Sequence, residues 1–222
     1  MKFDIYKKIP LNIFQFYKNE NDKINGYILK EYNKEFNYFL FNEIECEKFI
    51  YNFFSLEIYN TYISLIPLEY KIDLWKYCIL YKYGGIFIDN DLFCNIKLIN
   101  LIDNNLFTYE KDYYYNINII YTGFIITKEY NKIFLILINE IVNNVKNKFY
   151  GKNFTYPTGS GLLTKIFNNH NIKSYLYYDG YNILYKNQII MRKYYNIKRS
   201  EKYKSMWISK KIYEKNEKLL LK

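Results

Sequence analysis

The chain has one histidine, three cysteines, three prolines and eight glycines in 222 residues. Each shortage closes something off. His170 stands alone, and Cys46, Cys78 and Cys94 show no Cys-X-X-Cys spacing, which excludes a zinc centre of the usual ligand types. An odd number of thiols argues against a disulfide framework and fits a reducing compartment. No Pro/Gly/Ser-rich linker, internal repeat or low-complexity block divides the sequence, so one domain over residues 1–222 is expected, with 196–222 as a basic C-terminal lid or tail. Residues 1–10 lack an apolar core of signal-peptide length, and the longest strongly apolar run, residues 133–138, is too short to span a bilayer. The expectation is a soluble, cytoplasmic protein of a bacterial or viral setting, in the host cytoplasm or the virion if viral. In that setting the sequon Asn153-Phe154-Thr155 carries no meaning.

What the chain has in excess is tyrosine (29), phenylalanine (17), asparagine, isoleucine and lysine. These residues share AT-rich codons, so much of the bias reads as a genome effect. With 50% hydrophobic and 24% charged residues, the composition is that of a globular domain able to bury a core. The net charge of +10 could attract nucleic acid, an anionic membrane or a phosphate-bearing substrate. Its lysines are spread along the chain, however. Only Lys202, Lys204, Lys210, Lys211, Lys215 and Lys218 form a cluster, which leaves weak membrane contact open. A nucleic-acid-binding module would need a basic stripe interleaved with aromatics, and no nucleic-acid or obligate protein partner is inferred.

Apolar spacing predicts strands over 9–17, 36–41 and 118–127, a three-residue strand over 86–88, and short strands through about residue 185. Helices are predicted over 25–32, 43–66 (one or two), 129–148 and 159–167. Another begins at Pro67, a residue suited to a first helical position, and ends at Gly84 and Gly85. Strands and helices alternate along most of the chain, which predicts an α/β layered fold.

The chemistry concentrates where the 86–88 strand ends, at Asp89-Asn90-Asp91. Loops beyond the carboxyl ends of strands are where such folds bind ligands. Two carboxylates two residues apart on extended backbone face the same side and form a hard, oxygen-rich patch suited to Mg²⁺ or Mn²⁺. Such ions share their remaining positions with water and phosphate oxygens, and neutralise charge on a departing diphosphate. Asp-X-Asp alone is weak, since a polar turn after a strand also produces it. The preceding helix, double glycine and short strand give it weight.

Lys71-Ile72-Asp73-Leu74-Trp75-Lys76-Tyr77-Cys78-Ile79-Leu80-Tyr81-Lys82-Tyr83-Gly84-Gly85-Ile86-Phe87-Ile88-Asp89-Asn90-Asp91 resembles the DXD-containing sugar-binding region of glycosyltransferase family 32, which is related to the large clostridial glucosylating toxins. The resemblance is specific over residues 67–96 and weaker at Ile9-Pro10-Leu11-Asn12-Ile13-Phe14-Gln15-Phe16-Tyr17, Thr158-Gly159-Ser160-Gly161 and Ser205-Met206-Trp207. It implies a GT-A fold, that is, a Rossmann-like nucleotide-sugar-binding sheet flanked by helices. It also implies a UDP- or GDP-sugar donor, Mn²⁺ or Mg²⁺, a glycan, protein or small-molecule acceptor, and retention of anomeric configuration. By the same resemblance Asp91 ligates the metal and Asp89 helps, also reaching ribose or sugar hydroxyls. Asp73 hydrogen-bonds the transferred sugar beside Lys76, and Tyr17 stacks on the nucleobase. Gly84, Gly85 and Phe87 belong to the donor-binding segment, Ser205 and Trp207 close over the diphosphate, and Thr158, Gly159 and Ser160 lie on the acceptor side.

Three positions depart from the family pattern: Lys76 for arginine, Phe87 for tyrosine and Ser160 for proline. Loss of a forked donor at residue 76 removes any bidentate hold on the donor. A catalytically weak or silent homologue that still binds nucleotide-sugar is the alternative these changes keep open. Simpler structural accounts also exist. Asp73 and Lys76 are spaced for an i,i+3 ion pair, Tyr17 and Trp207 for packing, and Trp75 for a helix core, while His170 falls in a polar turn.

Overall fold

The computed structural model describes residues 9–103, 105–112, 117–170, 172, 175–193 and 202–214. Its first half runs β1 (Asn12–Phe16), α1 (Glu20–Tyr32), β2 (Asn37–Phe41), α2 (Glu43–Phe53), α3 (Leu56–Ser64), α4 (Leu68–Tyr83), β3 (Gly85–Ile88) and β4 (Leu92–Cys94). A 3₁₀ turn at Leu98–Leu101 follows. The second half adds β5 (Leu106–Asp112), β6 (Ile117–Thr127), α5 (Lys132–Lys146), α6 (Ser160–Asn169), β7 (Leu176–Tyr178), β8 (Asn182–Tyr185), β9 (Gln188–Lys193) and α7 (Lys202–Ile208).

Local chemistry sets several boundaries. Asn19 and Asp22 form a reciprocal capping box, so α1 starts five residues before the apolar periodicity that predicts it from residue 25. Asn42 and Glu45 cap α2 in the same way. Tyr130 has φ of 55° and Asn131 caps α5 through Ile133 N–H, so this helix begins at Lys132 rather than at residue 129. Pro67 occupies the N-cap of α4 and Leu68 is its first helical residue.

The nine strands form one sheet in the order β2-β1-β3-β6-β5-β7-β8-β9-β4. β1 is parallel to both β2 and β3, whereas β6 is antiparallel to β3 and β5. β4 begins four residues after β3 ends, yet it joins the sheet at the far edge, antiparallel to β9. The sheet therefore curls, and residues 89–91 connect its third position to its last.

Each face of the sheet carries its own core. Phe87 of β3 points with Phe14, Phe107 and Ile125 toward α4, α5 and α6. Its neighbours Ile86 and Ile88 point the other way, with Ile13, Phe124 and Ile126, toward Leu29 of α1 and Leu98 and Leu101 of the 3₁₀ turn. α4 is the central helix: Tyr70 and every residue from Leu74 to Leu80 are buried, so it is enclosed on several sides. Trp75 lies fully inside, between the rings of Phe41 (5.0 Å) and Phe87 (6.2 Å).

The C-terminal segment is docked onto this body. Ile66 N–H donates to Ile212 O (3.0 Å), Glu214 N–H donates to Ser64 O (2.9 Å), and Leu65 bridges Tyr213. Ile212 is fully buried. Of the segment expected as a lid or tail, residues 196–201 and 215–222, with Lys215 and Lys218, lie outside the described residues. Among the described residues, no helix is long and apolar enough to cross a membrane.

Gly84 and Gly85 make the turn from α4 into β3, at φ of 56° and 104°. A Cβ on Gly84 would run into the backbone nitrogen of Glu129 and lie 2.8 Å from the Lys128 carbonyl carbon. A Cβ on Gly85 would lie 2.5 Å from Asn12 O. Both obstacles are backbone and cannot rotate away. Gly84→Ala should therefore destabilise the fold by more than about 1 kcal/mol, the least expected where alanine is forced to positive φ. Urea unfolding should show a lower midpoint with an unchanged m-value.

Candidate active site

The site is built at the carboxyl end of β3. β3 pairs with β6 through Ile88↔Phe124, and the pairing continues one step further as Asp89 N–H donates to Gly123 O (2.8 Å). There β6 is bulged. Its pairing with β5 jumps from Phe107↔Ile125 to Thr108↔Tyr121, leaving Thr122, Gly123 and Phe124 outside the β5–β6 ladder. Each freed carbonyl finds another donor. Thr122 O accepts from Lys76 Nζ (3.1 Å), Gly123 O from Asp89 N–H, and Phe124 O from Thr108 Oγ1 (3.2 Å).

Gly123 is the seat of Asp89. A Cβ there would strike Asp89 Oδ2 and the Tyr121 hydroxyl, so the carboxylate rests against bare backbone. Glycine inside a predicted strand signals such an approach, and that signal at Gly123 was available in the sequence.

Asp73, on α4, faces the same place. Its carboxylate accepts from Thr158 Oγ1 (2.9 Å) and from Lys76 Nζ (3.4 Å). A Cβ on Gly159 would lie 3.1 Å from Asp73 Oδ2, so Thr158 and Gly159 both close on this carboxylate. Burial pushes the Asp73 carboxyl above its ordinary range; Lys76 and Thr158 oppose the shift and nearby Asp89 adds to it. Ser160 follows as the first residue of α6.

Lys76 is turned inward, with 3% of its side chain exposed. Its ammonium lies 4.4 Å from the Phe87 ring centroid, besides Asp73 and Thr122 O. Two of the three departures from the pattern of the family it resembles, Lys76 and Phe87, thus touch each other. A compact ammonium over an unsubstituted ring is a cation–π contact, and both side chains are enclosed.

Asp91 is 13% exposed and pairs with Lys193 of β9, Nζ to Oδ2 3.0 Å. Asn90, between the two carboxylates, donates to Phe16 O (2.6 Å), and its own carbonyl accepts from Asn25 Nδ2 (3.0 Å). That clasp ties the motif to the end of β1, immediately before Tyr17. The Tyr17 hydroxyl accepts from Asn42 Nδ2 (2.9 Å), and Lys23 Nζ lies 4.7 Å from its ring centroid.

Other expected residues are placed elsewhere. Gly84 and Gly85 lie at the opposite end of β3 from Asp89, packed closely against the backbone of residues 128–129 and of Asn12. Ser205 Oγ donates to Lys202 O within α7 (2.8 Å), and Trp207 Nε1 donates to Tyr150 O (2.6 Å). α7 reaches α4 through Tyr203 and Tyr70 (6.1 Å), one turn before Asp73. Neither Ser205 nor Trp207 is brought to Asp89 by a contact of its own. Lys193, Tyr121 and Thr122 were missed by sequence reasoning, because a lysine and a tyrosine are ordinary in this composition and a backbone carbonyl carries no sequence signal.

The donor set suits a hard divalent cation. Asp89 and Asp91 supply carboxylate oxygens, and an ammonium already stands against Asp91 where positive charge is wanted. Among the described residues, no group of three His, Cys, Asp or Glu could hold a metal. Mg²⁺ and Mn²⁺ use one or two protein carboxylates and take the rest from water and phosphates.

Residues 18–108 match the family described as glycosyltransferase sugar-binding region containing DXD motif, a stretch that includes Asp73, Asp89 and Asp91. Among solved structures the chain is similar to one titled PaToxG glycosyltransferase, with TM-score 0.54 and 14% identity, covering 73% of this chain and 69% of that one. No curated protein sequence matches. The chain therefore has the expected α/β architecture of GT-A type and carries a glycosyltransferase-like DXD region.

Gly123→Ala tests the seat of Asp89. The obstructing atoms are the ends of side chains, so they should move and the fold should persist, with a smaller stability loss than Gly84→Ala. Displacing Asp89 should lower Mn²⁺ affinity by about 10- to 100-fold, the range for lost support of a metal ligand, as read by titration calorimetry.

Proposed function

We propose that this chain is a glycosyltransferase, close to family 32, that moves a sugar from a UDP- or GDP-linked donor to a glycan, protein or small-molecule acceptor with retention of configuration. The observation that carries the reading is Asp89, seated on Gly123 at the carboxyl end of β3, with buried Asp73 of α4 near enough to feel its charge and Asp91 two residues further along the chain. Bound there, Mn²⁺ or Mg²⁺ would neutralise the charge that develops on the leaving diphosphate. Asp91 and Asp89 would hold it, with Gly123 keeping Asp89 in place.

Asp73, fixed by Thr158 and Lys76, would accept hydrogen bonds from hydroxyls of the transferred sugar. Lys76 is then a positioning residue: it keeps that carboxylate charged and oriented. Thr158 and Gly159 are on the Asp73 side, which fits a role beside the sugar and its acceptor. As the sugar–phosphate bond breaks, the acceptor oxygen bonds to the anomeric carbon and its proton passes to the departing diphosphate. No dedicated base is required, and the sequence offers a single histidine. Tyr17 would stack on the nucleobase, and Lys23, now 4.7 Å from its ring centroid, would have to leave that face. Closure of Ser205 and Trp207 over the diphosphate would require Trp207 to release Tyr150 O.

The direct test is calorimetric titration of UDP and GDP with and without Mn²⁺. Binding of one nucleotide only in the presence of metal is expected. No binding of either to folded protein would overturn the reading. Asp91→Ala should abolish metal-dependent donor hydrolysis and leave the circular dichroism spectrum unchanged; an unaltered rate would remove Asp91 from the site. Tyr17→Ala should weaken UDP or GDP by about 1–3 kcal/mol, the worth of a base on an aromatic ring, and leave pyrophosphate binding unchanged. Equal losses for nucleotide and pyrophosphate would argue against stacking.

A further inference from the structure

Lys193 is the residue whose position the proposed reaction leaves unexplained. It ends β9 opposite Leu92, the residue after Asp91, and is 15% exposed. Its Nζ is 3.0 Å from Asp91 Oδ2. Tyr121 and Tyr178 stack on each other at 4.6 Å and 20°, and the same ammonium lies 5.9 Å from each ring centroid. Lys193 is therefore held beside an aromatic wall and against the carboxylate expected to bind the metal. The strand pairing does not require this, because β4 and β9 are joined through their backbones.

We propose that Lys193 is an exchangeable counterion. It neutralises Asp91 while the site is empty and passes to the diphosphate oxygens when metal and nucleotide enter together. The inference deepens the proposed function and rests on it. A divalent cation and an ammonium at one carboxylate repel each other, so the metal alone must displace Lys193 from its partner. A diphosphate reverses that cost by giving the ammonium a new anionic partner. Lysine is well suited to such an exchange, being a compact point charge on a flexible stem that binds phosphate without demanding a forked geometry. The aromatic wall offers the ammonium favourable contact without fixing it to one partner. Metal and nucleotide should then strengthen each other's binding, by the same factor in either order.

The test is titration of Mn²⁺, followed by electron paramagnetic resonance, in the absence and presence of saturating UDP or GDP. In the unmodified protein the nucleotide should tighten Mn²⁺ by about tenfold or more, within the usual range of coupling between sites. Lys193→Gln should bind Mn²⁺ alone several-fold more tightly than the unmodified protein and lose most of the coupling. Lys193→Arg, which keeps the charge, should retain coupling. Equal Mn²⁺ affinity with and without nucleotide in the unmodified protein would overturn the inference before any variant is made. So would nucleotide binding that needs no metal, since Lys193 would then serve in the metal's place. A folded Lys193→Gln protein with unchanged metal affinity and coupling would also overturn it, while leaving the proposed function standing. Failure of the unmodified protein to bind either metal or nucleotide would overturn both.

Discussion

β3 is four residues long, buried on both faces and paired on both sides, and its register decides where Asp89 points. Because side chains alternate along a strand, a slip of one residue would turn Phe87 and Asp89 away from α4 and bring Ile88 toward it. The slip is opposed from three directions. Gly84 and Gly85 admit only a close backbone approach at one end, β1 and β6 hold the flanks, and the bulge at residues 122–124 receives Asp89 N–H at the other end. The precision required of the carboxylates is thus supplied by backbone pairing, before any side chain is considered.

A second constraint is electrostatic. Lys76 and Asp73 are both largely withdrawn from water, and a buried charge left alone is costly. They are tolerated because each has several partners: Lys76 has Asp73, Thr122 O and the face of Phe87, and Asp73 has Lys76 and Thr158. The bulge in β6 is part of this arrangement, since it turns a strand carbonyl into an acceptor for the ammonium. The substitutions at residues 76 and 87 are compatible with each other in a way that neither suggests alone.

Much of this was legible in the sequence where local chemistry speaks. The helix before the double glycine and the short apolar strand stand as their spacing implies, and Asp73 and Lys76 do form the i,i+3 pair that their positions allow. The two carboxylates do not sit on extended backbone as expected: residues 89–92 make a turn closed by Leu92 N–H donating to Asp89 O (3.1 Å), so strand alternation does not set where Asp91 points. Other features depended on distant partners. β5 mixes Thr, Glu, Lys and Asp with its apolar residues, so it shows no clean alternation, and only its ladder with β6 makes it a strand. β4 is three residues long and exists through β9. Lys193 became visible as a site residue only when the sheet curled to set the end of β9 beside Asp91.

The pairing of β4 with β9 also bears on the order of events during synthesis. Asp89 and Asp91 leave the ribosome long before β9 does, because β5 through β8 and both α5 and α6 must be made first. Contacts of such wide separation form late, after the entropy of closing the intervening loop has been met. A nascent chain can therefore hold its central helix and first strands while Asp91 still lacks Lys193. The last described segment, residues 212–214, then locks against the end of α3. The surroundings of Asp91 are thus finished from the C-terminal side, and a ribosome-bound chain, or one clipped before β9, would present the two aspartates without the ammonium that β9 sets against Asp91.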